Sequence, residues 1–468
     1  MIFGQPKTPA ECTGGVFCVL QILTPRTQTL NRKMRRRSAI FWMILALQFG
    51  HLPSLHASAR SDSSLTVAKI VIIGNETTKD YVITREMSLK VGGPLDSVAV
   101  ERDEKQIYSL QLFNKVDIDY TVEGTAATVY VRVSERWYIF PLPVFGFKYR
   151  DLSKPYYGAV LLHENFRGRN EKISASAVFG YDGWYDISYQ NPKVTSDDDI
   201  YFRGAFGFYH VRNLDVAVGE YDQRVTMGSL SLGKRYGLYL TLVGSAGYNR
   251  WEVTDPQPGR TVSSDGRDEF ISLGFSGVYD QRDIHEYPMD GSYISISAVK
   301  SGLGESKVNL FRWGIDLRRY QPLSSDLSLC GRVAGTFLSG GNSASYLNAF
   351  FGYDNRIRGY FSQAIEGEDL AGGSLELRTP ILSPRYMEVS LPYLPAQFSV
   401  WRYGLYAAIF ADAGTAWYRR DVVLKAPWYT GYGGGIHFLL PYSFVLRTEY
   451  AFNQHGRGEF IFDFDASF

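Results

Sequence analysis

WRYGLYAAIFADA, residues 401–413, is the stretch on which the fold turns. Its odd positions are Trp401, Tyr403, Leu405, Ala407, Ile409 and Ala411, while its even positions include Arg402, Gly404 and Asp412. A period of two places successive side chains on opposite faces of a strand, so one face here is apolar and the other carries charge. The division recurs toward the C-terminus. Phe444, Leu446, Tyr450 and Phe452 share one parity against Arg447 and Glu449. Phe460, Phe462, Phe464 and Phe468 alternate with Glu459, Asp463 and Asp465. A soluble sandwich turns such an apolar face inward, whereas a membrane barrel turns it to lipid and keeps its charges in the lumen. Alternation by itself fits both.

Upstream, residues 137–468 hold sixteen segments of this kind, from 139–149 to 459–467. An even count, at about 21 residues per strand and turn, suits tilted membrane strands of ~9–11 residues. Composition agrees: 33 Tyr, 29 Phe, 8 Trp and 46 Gly stand in 468 residues. After residue 60 no uncharged apolar run approaches the ~18 residues of a spanning helix, which excludes a helical membrane protein. Lys plus Arg is 49 against Asp plus Glu 48, so no basic excess points to nucleic acid. Beyond Cys12 and Cys18 only Cys330 remains, too few for an internal disulfide or a metal site.

The N-terminus reads as an address. Met34 and Arg35–Arg37 are followed by an apolar run from Ala39 to Phe49 and by Ala57-Ser58-Ala59, the pattern of a secretory signal over 34–59. Residues 1–33 lack periodicity and are expected to be a non-native extension ahead of a start at Met34. Residues 60–136 then predict a small α/β domain: a β-branched strand at 66–73, helical turns over 79–89, a helix N-capped by Asp96 and running to about Leu112, and strands at 115–120 and 128–133. Ile70-x-Ile72-x-Gly74-Asn75, then Leu112-Phe113-Asn114 and a strand ending at Glu135, resemble a POTRA domain. That family holds client polypeptides in the periplasm. With the domain placed there, the periplasmic connections are mostly short, 280–291 and 381–400 being the exceptions, and the longest connection, 339–369, lies outside, as in bacterial outer-membrane barrels.

Four motifs carry a wider resemblance. Arg358-Gly359-Tyr360 lies in the loop after the eleventh strand. Asp280-x-Arg282-Asp283 with Pro288-x-x-Gly291 lies between the eighth and ninth. Phe410-x-Asp412-x-Gly414 is on the thirteenth, and the last strand is aromatic with Phe460, Phe462, Phe464 and Phe468. Together they resemble the BamA/TamA-type superfamily of outer-membrane assembly and translocation proteins, the bacterial surface antigen family, with a single POTRA domain. The resemblance implies a mainly β fold, a 16-stranded antiparallel transmembrane β-barrel over 137–468 preceded by one POTRA domain, in the outer membrane of a Gram-negative-type bacterium. It also implies a C-terminal strand read as a barrel-insertion signal. Outer-membrane lipids, extended client polypeptides and accessory outer-membrane proteins are the partners it implies.

The residues add a physical expectation. A guanidinium turned into a lumen needs a carboxylate. Asp412 lies on the charged parity, with Glu449 a second candidate, so 339–369 is expected to fold inward as a lid over a partly solvated ion pair. Catalysis finds no constellation: G-x-S-x-G is absent, and neither His163-Glu164 nor His285-Glu286 continues to the zinc spacing. No cofactor is implied. The function expected is insertion or translocation of polypeptides, by client capture on the POTRA edge strand and opening of the seam between first and last barrel strands. A dedicated two-partner-type secretion pore, a structural subunit and a passive channel are the alternatives.

Overall fold

The computed structural model describes residues 65–147, 152–195, 197–215, 219–304, 307–351, 356–360, 363, 365–389, 395–421 and 426–464. The extension 1–33, the signal 34–59 and Phe468 lie outside the described residues.

The N-terminal domain comprises β1 (Thr66–Ile73), α1 (Asp80–Thr84), α2 (Ser97–Tyr108), β2 (Phe113–Glu123) and β3 (Ala126–Glu135). Its sheet has the order β1-β3-β2, with β1 parallel and β2 antiparallel to β3. Val67, Ile83, Met87, Ile107, Leu112, Phe113, Val129 and Val131 close one core beneath the helices. Both helices are shorter than their apolar spacing predicts. After α1 the backbone N–H groups of Ser88 and Leu89 turn to the buried Asp103 carboxylate, at 2.9 Å each, instead of continuing a helix. Past α2, Gln111 takes φ 59°, in the left-handed region that ends a helix. Gly74 also has positive φ (93°), and a Cβ there would overlap the Val133 carbonyl oxygen. Asn75 closes the same turn, its amide donating to Thr78 O at 2.9 Å and to Asp80 at 2.7 Å.

β2 is an edge strand, bonded to β3 alone. The Ile118 N–H faces away from β3 and donates to Glu104 of α2 at 3.2 Å. By alternation Tyr120 and Val122 face the same way, and both side chains are exposed. The open edge is therefore the second half of the strand.

The barrel strands are β4 (Ile139–Phe147), β5 (Pro155–Phe166), β6 (Glu171–Gly180), β7 (Gly183–Asn191), β8 (Ile200–Asp215), β9 (Gly219–Tyr236), β10 (Leu240–Val253) and β11 (Arg267–Asp280). β12 (Gly291–Leu303), β13 (Leu310–Ser324) and β14 (Leu327–Gly340) follow, then a small hairpin of β15 (Ala349–Phe351) and β16 (Ile365–Gly367) within the long loop. β17 (Asp369–Glu388), β18 (Val400–Trp417), β19 (Tyr429–Leu440), β20 (Phe444–Asn453) and β21 (Gly458–Asp463) complete it. Among the described residues sixteen strands pair in chain order from β4 to β21, with β15 and β16 set apart as their own sheet. The two ends of the sheet approach each other. Phe140 at the start of β4 meets Tyr442 of the β19–β20 turn edge-on at 5.9 Å, and Arg136 donates to Ser443 there at 2.8 Å.

Alternation sorts the barrel as a membrane requires. Phe206, Leu230, Leu232, Ile271, Ile409, Tyr432, Phe460 and Phe462 are exposed on the outside, while Glu376, Arg378, Arg402, Asp412, His437, Arg447 and Glu449 are buried inside. An apolar exterior around a charged interior is stable only in lipid.

Candidate functional site

A charged cluster in the lumen is built from the long loop and the inward positions of β17 to β20. Arg358 is buried and reaches four partners. Its Nε and Nη2 donate to the two oxygens of Asp412 at 2.8 Å each, and its backbone N–H donates to the same carboxylate at 2.9 Å. Nη1 donates to Glu376 at 2.5 Å and to Glu449 at 3.0 Å, and Nη2 also reaches Ser374 Oγ at 2.9 Å. The guanidinium lies 3.6 Å from the centre of the Phe410 ring. A planar fork that grips one carboxylate with two donors and still reaches two others is what arginine, unlike lysine, supplies.

Backbone fit sets the loop as firmly as charge. Gly359 has φ 97°, and a Cβ there would stand 2.9 Å from the Phe452 carbonyl oxygen. A Cβ on Gly431 of β19 would overlap the Arg358 carbonyl oxygen. Tyr360 is buried edge-on against Tyr429 at 5.2 Å. The Arg358–Asp412 pair is thus buried, with under a tenth of either side chain exposed, where its place in a lumen suggests partial solvation.

From the opposite end a second segment enters. Asp280 takes the Arg282 guanidinium at 2.8 and 2.6 Å, Asp283 accepts the backbone N–H groups of Met289 and Asp290, and Gly291 has φ 106°. These residues fold 281–290 back toward the lumen. There the Pro288 carbonyl accepts from Arg378 at 2.9 Å, and the Tyr287 hydroxyl bonds His437 Nδ1 at 2.7 Å. His437 Nε2 meets Glu449 at 3.1 Å, and Arg378 donates to Glu376 at 2.7 Å. The two inserted segments therefore share Glu376 and Glu449 as neighbours. Arg447 lies close to both carboxylates. Three guanidinium groups, of Arg358, Arg378 and Arg447, stand beside three carboxylates, of Glu376, Asp412 and Glu449.

The N-terminal domain sits against this same end of the barrel. Glu86 takes Arg235 at the end of β9 through two bonds of 2.6 Å, and Asn165 donates to Thr78 at 2.9 Å. Tyr108 donates to Glu286 at 3.3 Å, and Glu286 in turn pairs with Arg402 of β18. Asn114 reaches Gln397 at 2.5 Å.

Of the residues singled out from sequence, Arg358, Gly359, Tyr360, Asp412 and Glu449 lie together, and Asp280 to Gly291 shape the turn beneath them. Phe460, Phe462 and Phe464 face outward, and Gly74, Asn75 and Phe113 belong to the N-terminal domain. Glu376, Arg378, His437 and Tyr287 escaped the sequence reading. Ser374, Glu376 and Arg378 did carry a signal, three polar residues at period two within an apolar strand. Tyr287 carried none.

Residues 165–468 match the Omp85 superfamily domain, which is well over half of the chain. The chain belongs to the Omp85 superfamily. Residues 65–136 match the POTRA model, described as a surface antigen variable number repeat. Among curated proteins the chain is similar to outer membrane protein assembly factor BamA of Neorickettsia risticii, 26% identical over 411 residues covering 81% of this chain and 53% of that protein. It is also similar to BamA of Nitratidesulfovibrio vulgaris, 20% identical over 67% of this chain and 40% of that one. The chain thus spans about half the length of the curated relatives it matches. BamA from Haemophilus ducreyi lacking POTRA domains 1–3 shares the fold, with a TM-score of 0.51 at 18% identity, over 86% of this chain and 84% of that one. An Omp85 barrel with a POTRA domain lies in the outer membrane with that domain in the periplasm. The domain-bearing end described above is accordingly the periplasmic one, and the Arg358 loop enters from outside.

Proposed function

We propose that this protein inserts or translocates polypeptides at the outer membrane, without catalysis, by pairing with extended client strands. The POTRA domain captures a client by strand addition along Tyr120 and Val122 of β2. The barrel then admits it at the joint between β4 and β21, toward lipid, where client folding and burial in the bilayer supply the free energy. The observation that supports this reading is the pairing of an open strand edge with an occupied lumen. Arg358 enters the lumen from outside and Tyr287 from the periplasm, both against the wall of β17 to β20, which disfavours a wide standing pore and favours strand pairing as the means of contact.

Depletion followed by quantification of the outer-membrane proteome tests it. Broad loss of β-barrel proteins is the expected result. Loss of a single exoprotein instead points to dedicated secretion, and an unchanged proteome with ion conductance in planar bilayers points to a passive channel.

A further inference from the structure

On β9, β10 and β11 the outward face of the barrel changes chemistry at one height. In β9 the buried Gln223 and Val225 turn Arg224 outward, on the parity of the exposed Leu230 and Leu232. In β10 the buried Asn249 and Trp251 do the same for Arg250 and Glu252, and in β11 the buried Asp268 and Phe270 do so for Arg267 and Glu269. Between Lys234, at the periplasmic end of β9, and Arg224 the outward positions are Leu232, Leu230, Gly228 and Thr226. Between Tyr279 and Glu269 of β11 they are Gly277, Phe275, Leu273 and Ile271. Each run is one tilted membrane strand of ~9–11 residues. The charges therefore begin where the apolar band ends, at the level of the outer-leaflet head groups. At the outer ends of β5, β6 and β7 the exposed side chains are instead those of Tyr157, Phe179 and Tyr185.

Register brings the charges together. Arg224 faces Glu252 across β9 and β10, and Glu252 faces Arg267 across β10 and β11. Arg224 and Arg267 thus flank Glu252 two strand spacings, about 10 Å, apart at the backbone. Arg250 lies on the strand between them, one outward position nearer the membrane. Glu252 accepts from Arg250 at 2.5 Å, while Glu269 takes Arg267 and, at 2.8 Å, the Tyr248 hydroxyl. Arg224 is left over. It is exposed, has no ion-pair partner among the described residues, and stands opposite His210 of β8. Arg250 Nε also lacks a hydrogen-bond partner. Below Arg250 the outward positions of β10 are Tyr248, Ala246 and Gly244, and the last two run between Leu230 and Leu232 on one side and Leu273 and Phe275 on the other. A Cβ on Gly244 would stand 3.9 Å from its nearest neighbour. Small residues with larger ones on both banks leave an open trough leading up to the arginines.

We propose that this patch binds the phosphate of an outer-leaflet lipid, with an acyl chain of that lipid in the trough on β10. A phosphate held between Arg224 and Arg267, above Arg250, meets planar donors from three adjacent strands, the fork geometry in which guanidinium grips phosphate. Charge selects an anion, because three guanidinium groups stand against the carboxylates of Glu252 and Glu269. Depth selects a lipid, because apolar wall lies directly beneath the charges.

The test titrates the full chain, purified in dodecyl maltoside, with lipid A carrying both its phosphates, with the same lipid dephosphorylated, and with inorganic phosphate, and counts bound lipid by native mass spectrometry. Wild type should bind lipid A, and the dephosphorylated form should bind on the order of tenfold more weakly or worse. Arg224→Gln combined with Arg267→Gln should lose a similar factor for lipid A, and Gly244→Leu, which fills the trough, should weaken it severalfold. Lys234→Gln, on the same outward face of β9 at its periplasmic end, should leave binding unchanged. No binding by wild type, equal binding of the two lipid forms, or an undiminished affinity in the double variant overturns the proposal. So does a loss in Lys234→Gln as large as in the double variant. Inorganic phosphate that displaces lipid A at equal concentration makes this a site for free anions, and full binding by Gly244→Leu removes the acyl chain from the trough; either result also overturns it. If the double variant does not insert, Arg224→Gln alone, which strands no carboxylate, is judged by the same readings.

Discussion

At the residue scale the cluster around Arg358 is held by charge balance and by backbone fit, which separate mutations can pull apart. Arg358→Ala leaves three carboxylates facing two guanidinium groups in a buried site. Breaking a buried pair by removing one partner costs about 3–5 kcal/mol. Arg358→Ala combined with Asp412→Ala restores two against two and should destabilise less than Arg358→Ala alone, measured by heat-modifiability of the inserted barrel. Equal or greater loss in the double variant would mean that packing of the guanidinium on Phe410, not charge, holds the loop. Gly431→Ala tests the other term without touching a charge, since its Cβ would overlap the Arg358 carbonyl oxygen. It should release the loop and make 341–368 susceptible to protease added to whole cells. Gly244→Ala, whose Cβ would have 3.9 Å of clearance, should not.

At the element scale the proposed function rests on strand edges. In β2 the N–H groups of Tyr120 and Val122 take no part in the ladder with β3, so proline there spares the domain's own sheet. Tyr120→Pro with Val122→Pro should abolish site-specific crosslinking of client segments to the POTRA domain while its circular dichroism is retained. Thr121→Pro removes a ladder donor and should unfold the domain instead. Crosslinking that survives the first pair of substitutions would place client capture elsewhere. The elements themselves were largely legible: each of the sixteen segments expected from alternation overlaps one barrel strand. Strand ends were not, as in β8 and β9, which extend to Asp215 and from Gly219. Beyond the membrane nothing forces one face to be apolar, so the period of two fades while the ladder continues. The same blindness shortened the two helices, because the Asp103 bonds that end the first come from fourteen or fifteen residues away.

At the scale of the molecule the POTRA domain is docked against the periplasmic mouth of the barrel. The Glu86–Arg235 pair, both members largely buried, joins it to the end of β9. Arg235→Glu should loosen the domain, seen as faster amide hydrogen exchange over residues 78–89, and Glu86→Arg added to it should recover part of the protection. Protection unaffected by Arg235→Glu would leave docking to the other contacts, those of Thr78, Gln106, Tyr108 and Asn114 among them.

Which parts of this protein its sequence determined follows from the range of the forces involved. Alternation is local. A strand in lipid must show apolar side chains on every second position, so the parity of Asp412, Glu449 and Arg402 and the outward face of Phe460 and Phe462 could be read directly. The choice of Asp412 as a partner for Arg358 was within reach because a buried guanidinium needs a carboxylate on the inward parity. Tertiary structure alone decided the rest. Whether Glu376 and His437 join that pair depends on the register in which the neighbouring strands β17 to β20 are laid side by side. That Tyr287 rises to meet His437 depends on a turn folding inward when its length alone would let it hang in the periplasm. Contacts between residues about 150 apart in the chain leave no periodic trace, since they are fixed by closure of the barrel and not by the neighbours of either residue.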